Sequence, residues 1–309
     1  AANTLADDVC FWLYSSGSTG SPKGTLHLHS HIIQTAHLYG QGVLGLQEND
    51  VVFSAAKLFF ADGLGNALSF PLAQGATTVL LGKRATPTDV FHLLKTHRPT
   101  VFYGVPTLFA SLLADAERPR AQDLNLRVCT SAGEALPDAT RQLWKSATGL
   151  EMVDGIGATE LFHIFISSAA ENVRAGTIGQ VVPGYLACVM SETGEELPSG
   201  RIGILAVRGP TGCKYLSDQR QKSYVHNGWN ITGDMVMQDI DGYIHYQSRS
   251  DDMIISAGYN IGGPEVEDAL LSHPAVAECG VVGKPDAERG MVVQAFCVLS
   301  KGYEPGPEL

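Results

Sequence analysis

No two of the six cysteines are spaced C-x-x-C, no run of lysine or arginine occurs, and no apolar stretch is long enough to cross a bilayer. The scattered thiols (Cys10, Cys129, Cys188, Cys213, Cys279 and Cys297) exclude a disulfide framework and a zinc ribbon. They read as reduced thiols of a cytoplasmic protein. With 21 basic against 32 acidic side chains the net charge is −11. That balance argues against nucleic acid or an anionic membrane as a partner. It leaves room for a local anion site made of backbone amides and one or two lysines. No basic n-region precedes an apolar segment, and no internal repeat or low-complexity tract is present. Asn230-Ile231-Thr232 spells a glycosylation sequon, but nothing else points to secretion. Only 17% of residues are charged and 44% are hydrophobic, a globular composition that excludes disorder, collagen and coiled coil.

The 309 residues are enough for about two domains. The chain opens on Ala1, shortly before a strand-like run at 9–14, and closes on a Gly/Pro-rich tail, which together suggest a piece of a longer protein. From 50 to 155, short β-branched runs (51–53, 77–81, 100–103, 126–130, 152–153) alternate with helical patterns (64–73, 87–97, 106–116, 137–147). That alternation predicts an α/β fold, a parallel sheet with flanking helices and ligands at the carboxyl ends of its strands. After 175, Gly- and Pro-punctuated short strands at 176–179, 187–190, 203–207 and 242–246 predict a small antiparallel or barrel-like unit. A third texture starts near Asp251, with strands at 253–255, 279–282 and 292–299 around a helix at 264–272. The division expected is therefore 1–250 (an α/β part, 1–174, and a β-rich part, 175–250), then 251–309, the start of a small α+β domain.

Several segments carry chemistry. Ser15-Ser16-Gly17-Ser18-Thr19-Gly20-Ser21-Pro22-Lys23-Gly24 follows the first strand, and its hydroxyls, glycines and lysine suit a highly charged oxyanion. It is not a Walker A loop, since no Gly-Lys-Ser/Thr exists in the chain, and a solvated Ser/Gly turn is the plainer reading. Gly155-Ile156-Gly157-Ala158-Thr159-Glu160 follows a strand, where Glu beside Thr can hold Mg²⁺ against a phosphate or simply open a helix. Thr232-Gly233-Asp234 and Arg249-Ser250-Asp251-Asp252 offer acceptors for sugar hydroxyls, or are surface turns. Gly40-Gln41-Gly42-Val43-Leu44-Gly45 spells a dinucleotide fingerprint but follows a helical pattern, which speaks against that use. His27, His29 and His31 would share a face if they lay on a strand, yet no carboxylate or thiol stands near enough in sequence to complete a metal site.

The order of these segments, with Ser131-Ala132-Gly133-Glu134-Ala135-Leu136-Pro137 between them, resembles the adenylate-forming acyl-CoA synthetase superfamily over essentially the whole chain. Phe11-Trp12-Leu13-Tyr14-Ser15-Ser16-Gly17-Ser18-Thr19-Gly20, Lys57-Leu58-Phe59-Phe60-Ala61 and His163-Ile164-Phe165 are similar to its benzoate-CoA ligase branch. The resemblance implies ATP-dependent activation of an aromatic carboxylate (benzoate, hydroxybenzoate or aminobenzoate) to an acyl-adenylate. Transfer to coenzyme A then follows, with Mg²⁺ required, in the breakdown of aromatic compounds. It assigns Ser16, Thr19 and Lys23 to the phosphate loop, and Thr159 and Glu160 to phosphate and Mg²⁺. Gly133, Glu134, Asp154 and Gly155 would frame the adenine end, and Asp234 and Arg249 the ribose. Ala61, Asp62, Ala132, Gly157, His163 and Ile164 would line the aryl pocket, Asp251 would be the hinge of a mobile C-terminal domain, and Gly258 the coenzyme A tunnel. A homodimer is compatible with the resemblance. So are two other readings: an adenylation domain loading a carrier protein, and a nucleotide-binding remnant without turnover.

Three departures from the family pattern stand out. A further N-terminal region and a lysine near the family's C-terminus are missing, so this stretch alone is expected to be impaired in adenylation. Asp62 stands where the benzoate branch commonly has an aromatic residue, and Ile255 where many members have Lys. Asp62 therefore either selects an acid bearing a hydrogen-bond donor or N-caps a helix beginning near Gly63.

Overall fold

The computed structural model describes residues 2–17, 20–257, 259–286 and 289–306, arranged around four sheets. The first is a hairpin of β1 (Val9–Gly17) and β2 (Gly20–Leu28). The expected Ser/Gly-rich loop is thus mostly strand: Lys23 lies on β2, paired with Ser15 of β1. Small polar residues hid the strand alternation there, and the ladder pairing supplies what local propensity does not.

The central sheet comprises β3 (Val51–Ser54), β4 (Thr77–Val79), β5 (Val101–Gly104), β6 (Val128–Ala132), β7 (Met152–Gly157), β8 (Ile164–Ser167) and β9 (Gln180–Val181). Its order is β4-β3-β5-β6-β7-β8-β9; the first five are parallel and the last two antiparallel. Strand periodicity sends alternate residues to opposite faces. Val52, Val101, Val128 and Val153 pack with Tyr39, Phe70 and Phe165 on one side, and Phe53, Phe102, Cys129 and Met152 with Phe91, Phe109 and Trp144 on the other. Both faces are covered, so these strands read as continuous apolar runs. At the amino ends, buried Asp50 accepts from Arg127 at 2.5 Å and from Thr100 at 2.7 Å, tying together the entries to β3, β5 and β6. The carboxyl ends are left open for ligands.

Helices α1 (His29–Thr35), α2 (Ala61–Leu64), α3 (Phe70–Gln74), α4 (Pro87–His97), α5 (Pro106–Ala114) and α6 (Asp138–Thr148) flank the sheet. The 87–97 expectation is met to the residue: Pro87 occupies the first turn, Thr86 accepts from the Asp89 amide, and Arg98 turns left-handed at the end. The 64–73 segment is broken into α2, a π-helical stretch at Gly65–Ser69, and α3. Gly40 and Gln41 close another π-helical stretch, Ala36–Gln41, so the dinucleotide-like string follows a helix as expected.

The β-rich part contains β10 (Leu186–Met190), β11 (Ile202–Arg208), β12 (Val225–His226), β13 (Trp229–Gln238) and β14 (Ile244–Arg249), with the short α7 (Gln221–Tyr224). They form an antiparallel sheet, order β10-β11-β13-β12 with β14 also on β13, and no closed barrel is found among the described residues. β12 and β14 share the same edge of β13, one pairing its start and the other its end, which leaves β10 as an open edge. The expected strand at 176–179 is only a single bridge, Gly179 to Ile244. The fourth sheet, order β16-β15-β18-β17, comprises β15 (Ile254–Ser256), β16 (Tyr259–Ile261), β17 (Val276–Asp286) and β18 (Gly290–Leu299), with α8 (Gly263–Leu271) against it. The Asp138 amide at the start of α6 donates to Asp268 of α8 at 2.9 Å.

Candidate active site

The loops after β3, β6 and β7, at the carboxyl ends of the central sheet, meet β2, β13 and β14 around two adjoining clefts, each of about 930 Å³. The first is lined by Lys23, Gly133, Glu134, Asp154, Gly155, Thr159, Glu160, Asp234, Arg249 and Asp251, among others. All six residues expected for the aryl pocket (Ala61, Asp62, Ala132, Gly157, His163, Ile164) line the second. Gly133, Gly157, Ala158 and Thr159 border both. Thr19 and Gly258 lie outside the described residues, as does the side chain of Ser16, whose backbone belongs to β1.

Glu160, on the short turn Thr159–Leu161 after β7, is 7% exposed and stands at the centre of the first cleft's polar cluster. Its Oε1 accepts from Tyr215 Oη at 2.7 Å and from Ser15 Oγ at 3.3 Å, and lies 3.2 Å from Lys23 Nζ. Lys23 Nζ also donates to Tyr215 Oη at 3.0 Å and lies over the Tyr215 ring. Burial alone would raise the Glu160 carboxyl, but the Tyr215 hydrogen bond and the Lys23 charge outweigh it and hold the group below its ordinary value. Tyr215 is a residue that sequence reasoning missed. It lies 55 positions from Glu160, and nothing in its neighbours marks it. The Lys214 and Leu216 backbones pair with Leu26 and Gly24 of β2, and this delivers the phenol to Lys23. Tyr224, also unmarked in sequence, adds a buried hydroxyl on the same cleft.

At the other end of that cleft, Asp234 and Arg249 face each other across the β13–β14 ladder, with Arg249 Nη1 2.9 Å from Asp234 Oδ1. Burial raises the Asp234 carboxyl despite Arg249 beside it. Asp154, in the middle of β7, accepts from the Gly155 amide at 2.9 Å, and burial pushes its carboxyl up to about 7. Ten acidic side chains line this cleft against three cationic ones, Lys23, Arg141 and Arg249. A polyphosphate therefore needs a cation to enter. One position suits it: among the described residues, the side-chain hydrogen bonds to the Glu160 carboxylate fall on Oε1. No group of three His, Cys, Asp or Glu is placed to hold a metal by itself among the described residues. A hard cation bound by one carboxylate plus phosphate oxygens matches that arrangement.

The second cleft is mainly apolar, walled by Ala61, Val105, Leu108, Ala132, Phe162 and Ile164. His163 is buried, its Nε2 3.4 Å from the Asp62 carbonyl, and burial drives its imidazole down to about 3. The ring packs so closely on the π-helical stretch that a Cβ at Gly65 would sit 2.3 Å from its Cδ2. Phe162 holds φ at +74°, an uncommon backbone for a bulky residue, in the linker that sets Glu160 in one cleft and His163 in the other. Asp62 does not cap a helix. α2 begins at Ala61 after Phe60, and the Asp62 carboxylate instead accepts from Asn66 at 2.8 Å.

The three histidines are separated by the corner at which β2 ends and α1 begins. His27 and His31 approach at 3.2 Å between Nδ1 atoms, and burial keeps both rings low, His27 at about 4.

A mixed, mostly parallel sheet whose strand ends open on a polar cleft and an apolar cleft sharing one wall can seat a charged ligand beside an apolar one. The chain belongs to the AMP-binding enzyme family, whose model matches residues 1–215, and the family's C-terminal domain matches residues 265–308. It is 49% identical to a benzoate–CoA ligase of Thauera aromatica over all of this chain and 59% of that protein. Among solved structures, a benzoate CoA ligase from Burkholderia xenovorans LB400 superposes with a TM-score of 0.92 at 44% identity, over 99% of this chain and 61% of that one. An anthranilate CoA ligase in complex with anthranoyl-AMP gives 0.93 at 40% identity, over 100% and 59%. The chain thus spans about 59% of the length of the first of these relatives. No helix among the described residues is long and apolar enough to cross a membrane.

Proposed function

We propose that the chain is the catalytic part of a cytoplasmic, AMP-forming aryl-carboxylate–CoA ligase. The carboxylate of an aromatic acid attacks the α-phosphorus of ATP, a P–O bond forms and pyrophosphate leaves. The thiol of coenzyme A then takes the acyl group from the adenylate and releases AMP. The observation that carries this reading is the shared wall. With ATP in the first cleft and the acid in the second, Gly157 to Thr159 lie where the two must meet.

In this reading Asp234 and Arg249 take the ribose, Gly133, Glu134, Asp154 and Gly155 the adenine end, and Ser16, Thr19, Lys23 and Thr159 the phosphates. Mg²⁺ would be held by Glu160 and would neutralise the departing pyrophosphate. Lys23 adds a fixed charge where negative charge grows, and the Tyr215 hydroxyl holds the directly paired lysine and carboxylate in place by bonding to both. Asp251 follows β14, ahead of the fourth sheet, and serves as the hinge between half-reactions.

The test is pyrophosphate release by the full-length gene product over a panel of aromatic and aliphatic acids. Release with aromatic acids, followed by coenzyme A-dependent thioester formation, is expected. Release restricted to aliphatic acids, or ATP binding without any release, overturns the reading.

A further inference from the structure

We infer that the second cleft is built for an aromatic acid carrying a hydrogen-bond donor, a hydroxyl or an amine, on its ring, and that Asp62 receives that donor; this rests on the function proposed above. Asp62 lies on the wall of an otherwise largely apolar cavity. Its Oδ1 is taken by Asn66 Nδ2 at 2.8 Å, whereas Oδ2 has no hydrogen-bond partner in the protein among the described residues. About a third of the side chain is open, and it opens into the cleft.

Nothing nearby neutralises this carboxylate. His163 Nε2 is 3.9 Å from Oδ1, but the buried imidazole is neutral across the physiological range. Lys57, on the same cleft, donates to the Leu81 carbonyl, and neither it nor Arg84 forms an ion pair with Asp62. Burial with no cation beside it pushes the carboxyl up to about 6, so it is mostly ionised at neutral pH. Two further buried atoms lack partners, Asn66 Oδ1 and His163 Nδ1. With Nε2 donating to the Asp62 carbonyl, Nδ1 is an acceptor. Of these acceptors only Asp62 Oδ2 is open to the cleft, while Asn66 Oδ1 and His163 Nδ1 are sealed from it. A ring C–H cannot satisfy Asp62 Oδ2, and a bound ring that displaces its water without replacing the hydrogen bond leaves it unpaired, which is costly. A ring hydroxyl or amine supplies the missing hydrogen. Asp62 also caps no helix, which removes a structural reason for a carboxylate at this point.

A site built around such a bond rejects the analogue lacking the donor far more strongly than a methylene-sized difference allows. The experiment measures kcat/KM for pyrophosphate release by the full-length enzyme on benzoate and on its hydroxy, amino and methoxy derivatives. At least one hydroxy or amino isomer is expected to exceed benzoate by about tenfold or more. The methoxy counterpart of a preferred hydroxy acid, which fills space and accepts but cannot donate, should gain nothing. Asp62→Ala should bring the preference within about threefold. Benzoate turned over as well as every donor-bearing isomer overturns the inference and leaves the proposed function standing, and so does a preference that survives in Asp62→Ala. The wild-type ratios decide the matter even where the variant does not fold. Absence of release with any aromatic acid removes the proposed function and this inference together.

Discussion

Two hydroxyl hydrogen bonds and an ammonium contact converge on one oxygen, Glu160 Oε1, and this sets what single substitutions do. Glu160→Gln and Lys23→Ala each remove a charge that the proposed function assigns to the pyrophosphate. Each is expected to lower adenylation by about ten- to a thousandfold, read as pyrophosphate release. Unchanged release in both variants would remove the assignment. Tyr215→Phe separates positioning from charge: the lysine and the carboxylate stay paired, and the hydroxyl bonded to both goes. It should lower kcat for adenylation by about tenfold with a smaller change in KM for the acid, whose cleft Tyr215 does not line. An equal rise in the acid's KM would instead indicate a general loosening of the fold. Lys23 and Glu160 were legible because both lie in recognisable segments. Tyr215 was not, because its role arises only when the 214–216 backbone is laid along β2.

Among elements, those with their own start and stop signals were readable and those specified by partners were not. α4 carries a capping threonine, a first-turn proline and a closing turn, so its bounds followed from the sequence. The hairpin β1–β2 has small hydroxyl residues and glycines at its tip, and ladder pairing makes it strand. The π-helical stretch Gly65–Ser69 answers to the His163 ring pressed against it, a contact spanning about a hundred residues that no local pattern announces. The antiparallel strands at 187–190, 203–207 and 242–246 were visible, but β12 and β13 were not, since Thr232-Gly233-Asp234 reads as a turn, and the open sheet depends on which edge of β13 takes β14. The turn after β14 invites its own test. Proline fixes φ and removes an amide hydrogen. If the backbone at Asp251 must change between half-reactions, Asp251→Pro should suppress thioester formation while adenylate still accumulates. Equal loss of both steps would assign Asp251 to nucleotide binding or to the fold.

For the molecule as a whole, the buried titratable groups pull stability in opposite directions with pH. Asp154 titrates near 7 in the folded chain against an ordinary 3.8, so the folded form binds its proton more tightly than the unfolded form does. The stability this confers is complete below about pH 4 and is lost as pH rises through 7. His27 and His163, lowered to about 4 and about 3, act the other way and favour the fold above 6.5. Asp154→Asn isolates one contribution: its unfolding free energy from urea titration should exceed that of wild type at pH 8 by on the order of 2 kcal/mol and match it at pH 4. That figure allows for partial screening where the carboxyl meets the cleft. An equal free energy at pH 8 would show that cleft water already solvates the carboxylate. The wall common to the two clefts has a bearing on inheritance as well as on chemistry. At Gly157 even a methyl group would come within 2.7 Å of the His163 carbonyl, so the seam tolerates little change without disturbing nucleotide and acid alike. Ala61, Asp62 and His163 border only the second cleft. Under the proposed function, a taste for a new acid can therefore arise by substitution on that far wall while the nucleotide cleft keeps its lining.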